Sequence, residues 1–165
     1  MALRPIVTWP DPRLKTKAAP ITAFDADLRT LADDLLATMR AAPGVGITAP
    51  HVGVALRLVV LELSPADGVR IYANPEIVEA SAETQRHAEG SVSMPGVVDD
   101  VERAARVRLR WRDLDGGAHE AEAEGFLAVC LQHEIDQLDG VFWLDRLSRL
   151  RRDRVIKRWE KARRR

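Results

Sequence analysis

Cys130 is the only cysteine in 165 residues, so no internal disulfide can staple the fold. A lone thiol fits a reducing compartment. No window of about 18 apolar residues occurs, which excludes a membrane-spanning helix. The N-terminus, MALRPIVTWPDPRL, lacks the basic-then-apolar order of a secretory signal, so a cytoplasmic address is expected by default. No repeat, linker or low-complexity run beyond the terminal arginines divides the sequence, and 1–165 is expected to form a single domain. Net charge is missing as well, with 25 basic residues against 25 acidic.

What is present is ordinary for a globular chain, 46% hydrophobic and 30% charged. The charge balance hides an asymmetry. Residues 146–165 hold 11 basic and 2 acidic side chains, leaving 14 basic and 23 acidic for residues 1–145. The tail RLSRLRRDRVIKRWEKARRR spaces Leu147, Leu150, Val155, Ile156, Trp159 and Ala162 as a helix would. It reads as an amphipathic terminal helix with a very basic outer face. Two readings follow. The helix is solvated and packed on an acidic body, or 149–165 touches RNA, such as that of the ribosome, through phosphate neutralisation.

Pro5, Pro10, Pro12 and Pro20 make the first 20 residues irregular. Leu28, Leu31, Leu35, Leu36 and Met39 recur with helical period, which predicts a helix from Asp25 to Arg40 capped by Thr22 or Asp25. Ala41-Ala42-Pro43-Gly44 stops it. Beyond Gly44 the texture is β-type: LRLVVLEL (56–63), RIYANP (70–75) and ARVRLRWRDL (105–114), with HEAEAEGF (119–126) adding a further strand. Arg106, Arg108, Arg110 and Arg112 alternate with Val107, Leu109 and Trp111, a half-buried strand with a basic outer face. A second helix is predicted from Gly125 to Leu138, closed by Gly140, with the basic helix after it. The order gives an α+β domain with an antiparallel or mixed sheet around a central helix.

Three stretches carry chemistry. GVGITAPHVG (44–53) offers Gly44 and Gly46, which let backbone approach a ligand, but it lacks the third glycine of a dinucleotide loop. EGSVSMPG (89–96) reads alone as a polar turn with two serines. LQHEIDQLDG (131–140) sets His133 and position 137 on one helix face, with Glu134 beside them. A His at both positions could grip zinc or iron while the Glu moved protons of a metal-bound water. Here position 137 is Gln.

In order and spacing, the three stretches together resemble the signature of the peptide deformylases. WPDPRLKTKAAPI (9–21), NPEI (74–77), Val101-Glu102-Arg103 and FWLDRLS (142–148) extend the resemblance along nearly the whole chain. It implies a peptide-deformylase-like α+β fold whose central helix carries HEIDQ. It also implies a site in which one Cys and two His hold a divalent metal, usually iron. That metal activates water against the formyl group of formyl-methionyl peptides. The Glu of the third stretch would be the acid/base, placing Glu134 in the catalytic role. The Gln of the first stretch and the backbone N–H after the Cys would hold the oxyanion, which assigns substrate contacts to Gly44, Gly46, His51 and Val92.

This chain departs from the pattern at the positions that matter most. The metal-binding Cys is Ser91, the second metal-binding His is Gln137, and the oxyanion-side Gln is His51; His133 alone remains of the three ligands. A serine hydroxyl stays protonated near neutrality and a Gln carbonyl is neutral, so both are poor ligands for iron or zinc. The expectation is therefore no cofactor, deformylation absent or strongly reduced, and peptide N-termini still accepted along 44–51, 89–93 and the helix. Alternatives stay open. His51 and His133, with or without Glu134, could form a rearranged iron or zinc site in a working deformylase or other small amidase. Ser91 and His133 could approach as a hydrolytic pair. In the bland case His51 is a neutral imidazole bonded to a buried carbonyl, and Gln137 bonds to Ser91 or His133 across the metal position.

Overall fold

The computed structural model describes residues 1–164. Helix α1 spans Ala26–Ala41, and Asp25 caps it by accepting from the Leu28 N–H at 3.0 Å. The alternative cap, Thr22, lies outside the helix start. The chain then enters strand β1 (Gly46–Thr48) and β2 (Leu58–Leu61), shorter than the apolar run 56–63 that encodes it. Strand β3 (Arg70–Ala80) continues through Pro75 beyond its predicted end. Strands β6 (Arg106–Arg112) and β7 (Ala118–Glu124) and helix α2 (Gly125–Leu138) fall where the alternation and periodicity place them. Helix α3 covers Arg149–Arg163. Arg165, the last arginine of the basic tail, lies outside the described residues.

Five strands form one antiparallel sheet in the order β1-β2-β3-β6-β7. Strand β2 explains the layering. Leu58 and Val60 pack with Leu28, Leu31, Leu35 and Met39 of α1, while Val59 and Leu61 pack with Leu131 and Leu138 of α2. Both faces of the strand are covered, so LVVL needs no polar alternation. The sheet is thus sandwiched there between α1 and α2.

The largest element absent from the sequence reading is a separate hairpin, β4 (Thr84–Ser91) and β5 (Met94–Ala104), which leaves the sheet after β3 and returns into β6. Its apolar positions are sparse because one face meets solvent. Met94, Val97 and Val101 face inward and form a third core with Val7, Leu14, Phe142, Trp143, Val155 and Trp159. That core fastens both the N-terminal segment and α3 to the hairpin.

The basic face of β6 is neutralised within the sheet. Arg108 pairs with Glu120 at 2.7 Å and Arg106 with Glu83 at 2.8 Å. Exposed pairs of this kind contribute little each, but they leave few free cations on that face. No helix among the described residues is long and apolar enough to cross a membrane.

Candidate functional site

A cavity of about 830 Å³ lies between the 42–46 loop, the β4–β5 turn region 88–98, the Phe126–Glu134 side of α2, and the end of α3. Gly44, Gly46, His51, Ser91, Val92, His133 and Glu134 all line it, so the three stretches converge as expected. Gln137 does not line it.

The floor is built by charge. Arg103, 6% exposed, donates through Nε and Nη2 to the two carboxylate oxygens of Glu89 at 2.7 and 2.8 Å. Its Nη1 donates to Asp136 at 2.8 Å, and Arg146 clamps the same Asp136 through two bonds of 2.7 and 2.9 Å. A bidentate guanidinium–carboxylate pair fixes both partners in direction as well as distance. Glu89 then holds His133 through Nδ1 at 2.8 Å. Burial works against ionised Glu89, but Arg103 and His133 hold its carboxyl down to about 2. An ionised Glu89 accepts the Nδ1 proton, so a neutral His133 presents the lone pair of Nε2. Burial opposes charge on His133 too, yet Glu134 and Glu89 together raise its pKa.

Glu134 stands next to this pair in poorer company. Its Oε1 lies 3.9 Å from His133 Nε2, and its Oε2 is buried with no hydrogen-bond partner. Burial, with Glu89 adding to it and His133 opposing, pushes its carboxyl up to about 7. Gly46 makes room for it: a Cβ there would meet Glu134 Oε1 at 2.7 Å and Leu61 Cδ2 at 2.8 Å. Gly44 performs the same service for Val92, whose Cγ1 would lie 2.8 Å from an added Cβ.

His51 is 1% exposed on the first turn after β1. Its Nδ1 accepts from the Thr48 backbone N–H at 2.9 Å, and the Thr48 hydroxyl is also 2.9 Å away. The expected buried carbonyl is therefore replaced by backbone and hydroxyl donors. An Nδ1 that accepts an N–H leaves the ring proton on Nε2, and that Nε2 is buried without a partner. Burial, then the neighbouring His133, takes its pKa down to about 3. His51 is a neutral donor waiting for an acceptor.

The remaining positions depart from expectation. Ser91 Oγ accepts from the Ser93 N–H at 3.0 Å and makes no hydrogen bond with His133, whose Nδ1 is engaged by Glu89. The hydrolytic Ser–His pair is not assembled. Gln137 turns away from the site, and its Nε2 donates to the Leu14 carbonyl at 2.6 Å, tying α2 to the N-terminal segment. It bridges neither Ser91 nor His133. Among the described residues, no group of three or more His, Cys, Asp or Glu side chains is placed to hold a metal ion, and the set His51, His133 and Glu134 is no exception. Cys130 lines the cavity, but burial first, then Glu134 and Glu89, push its thiol up to about 12, where it is no thiolate.

The residues that sequence reasoning missed are Glu89, Arg103, Asp136, Thr48, Trp159 and Arg163. All six stand in quoted stretches. Glu89 and Arg103 gave no signal by themselves, because each reads as a solvent charge until pairing relieves the cost of burying it.

Comparison with known proteins agrees with this geometry. Residues 3–153 match the family described as polypeptide deformylase. A Brucella melitensis protein named peptide deformylase-like is 66% identical over 164 residues, covering 99% of this chain and 100% of that one. A Bradyrhizobium diazoefficiens protein named peptide deformylase is 44% identical over 169 residues, covering 98% and 97%. The crystal structure of a peptide deformylase from Legionella pneumophila superposes with a TM-score of 0.92 at 41% identity, covering 99% of this chain and 96% of that one.

Proposed function

The chain belongs to the peptide deformylase family, and from that premise we propose that its cavity receives the N-terminal residues of formyl-methionyl peptides without efficient metal-dependent hydrolysis of the formyl group. Family members normally hold a divalent metal, and the residues present here do not fit one. The observation that carries the reading is the donor set. His133 Nε2 is a good ligand, but Ser91 offers a neutral hydroxyl already engaged by Ser93, and Gln137 is committed to Leu14. One strong ligand and no thiolate give a weak hold on iron or zinc.

The site is nevertheless suited to an N-acylated peptide end. A formamide has one acceptor oxygen and one N–H. Among the residues lining the cavity, two buried groups lack partners of those kinds: the His51 Nε2–H and Glu134 Oε2. Apolar Val92, Phe126, Val129 and Cys130 form walls for an aliphatic first side chain. Binding by these groups holds the formyl carbon beside Glu134. With donors that hold a divalent cation only weakly, a water there largely keeps its ordinary acidity.

Release of formate from a formyl-methionyl tripeptide, by purified protein loaded with iron, nickel or zinc, tests this. The expected rate is about 100-fold or more below that of an ordinary family member, while the peptide still binds in calorimetry. Rates near those of ordinary members overturn the proposal. About one tightly held ion per chain, lost in His51→Ala, would instead favour the rearranged working hydrolase.

A second reading rests on α3. Arg154, Lys157, Lys161 and Arg164 are exposed and have no ion-pair partner among the described residues, while Val155 and Trp159 bury the opposite face. Such a face suits RNA phosphates, as on a ribosome. Cosedimentation with ribosomes across a salt series tests it. Binding that ignores salt, or that survives deletion of 149–165, refutes it.

A further inference from the structure

The C-terminal helix is part of the peptide cavity. Helix α3 is fastened along β5: Arg151 donates to both carboxylate oxygens of Asp99 at 2.7 and 3.1 Å, and Arg158 donates to the Val98 carbonyl at 3.1 Å. Trp159 inserts into the core shared with Met94 and Val97 and also lines the cavity. Over that indole sits the Arg163 guanidinium, 4.9 Å from the ring centroid. A guanidinium stacked on an indole is held in place without using its N–H donors, which stay free for a planar anion.

The distribution of charge around the cavity is polar in one direction. Its two carboxylates, Glu89 and Glu134, are at the floor with His51 and His133, and Arg163 is the one arginine or lysine among its lining residues. Between them the walls are mostly apolar, with Val45, Val98 and Phe126 partly exposed at the sides. Arg163 has no ion-pair partner among the described residues.

We propose that Arg163, held on Trp159, is a distal subsite for a carboxylate of the bound peptide, so that the site prefers peptides with an apolar first residue and an acidic group downstream. The inference rests on the reading that the cavity takes a peptide N-terminus. The carboxylate comes from an Asp or Glu side chain or from the C-terminus of a short peptide. An extended peptide anchored at His51 and Glu134 by its N-terminal amide runs out along 88–98 toward α3, so its anion meets Arg163 and not the carboxylates of the floor.

Calorimetric or fluorescence titration of the full chain with a formyl-methionyl peptide series tests this. One arm moves a single Asp through the second, third and fourth positions of C-terminally amidated peptides. The other compares free-acid with amidated peptides lacking Asp. One Asp position, or the free acid, is expected to bind about threefold to fivefold tighter than its neutral counterpart at low salt, as partly exposed ion pairs do. Arg163→Gln removes that preference, and Arg163→Glu reverses it. Arg154→Gln, an outward arginine of the same helix, leaves the preference intact. Equal affinity for acidic and neutral peptides overturns the proposal, as does equal loss in the Arg154 and Arg163 variants. Absence of binding by every peptide overturns the peptide-cavity reading itself, and the distal subsite with it.

Discussion

Replacing Arg103 with methionine removes the cation that holds the site floor together, and the structure sets the size of the effect. Arg103 and Glu89 are both nearly inaccessible, with 4% of each side chain exposed. Arg103→Met leaves a carboxylate in apolar surroundings with only His133 as a partner, the situation in which removal of one member of a buried pair costs about 3–5 kcal/mol. A second route gives a similar figure. The Glu89 carboxyl lies near 2 in the fold against an ordinary 4.5, and about 1.4 kcal/mol per pKa unit makes its interactions worth about 3.5 kcal/mol. Because that pKa is depressed, the stabilisation is complete above about 4.5 and disappears as pH falls toward 2. Urea unfolding at neutral pH should show the midpoint dropping by about 1.5–2.5 M, for a slope of about 2 kcal/mol per M. The double variant Arg103→Met with Glu89→Gln should recover at least about 1 kcal/mol, because the stranded charge is gone. A single-variant cost below about 1 kcal/mol, or a double variant no more stable than the single, would refute the pairing as the organiser of the floor.

Other consequences can be checked separately. Gly46→Ala should destabilise by about 1–3 kcal/mol, because its Cβ meets Glu134 and Leu61; an unchanged denaturation midpoint contradicts the close approach. The ring protons of His51 should show no titration in NMR spectra between pH 5 and 8, since its pKa lies near 3. Its lowered pKa also means that the unfolded chain takes up the proton first, so this group's contribution weakens as pH falls from about 6.5 toward 3; a His51 midpoint above 5 refutes the Thr48 arrangement. Cys130, with its thiol near 12, should react with thiol reagents at pH 8 at least about 1000-fold more slowly in the native than in the unfolded protein. Fast native labelling would place it outside the buried cavity wall.

Much of this molecule is legible in its sequence where one physical signal dominates. The stripe Leu28, Leu31, Leu35 and Met39 specifies α1, and the alternation of Val107 and Leu109 with arginines specifies β6. The hairpin β4–β5 is not legible, because its inner face spends two positions on Glu89 and Arg103, whose charges mimic a solvent loop until they are seen paired. The site follows the same division. Convergence of the three stretches on one cavity is what their joint resemblance to the family implies. The direction of Gln137 does not, since it depends on the Leu14 carbonyl 123 residues away. His51 similarly takes its tautomer from Thr48, which shares its stretch but donates to it only once β1 ends and the chain turns there. The stacking of Arg163 on Trp159 belongs to tertiary packing, since helical period alone makes Trp159 a core residue and Arg163 a surface charge.

The central claim is that Ser91 and Gln137, at two of the family's three metal-ligand positions, leave the site unable to hold the metal tightly. Metal content by elemental analysis, on protein expressed in iron- and zinc-replete medium and purified without chelator, tests it most directly when Ser91→Cys with Gln137→His is measured beside the unaltered chain. The account predicts well under one ion per chain for the unaltered protein and about one for the double variant. An unaltered protein that already holds about one ion per chain would contradict it, as would a folded double variant that binds none.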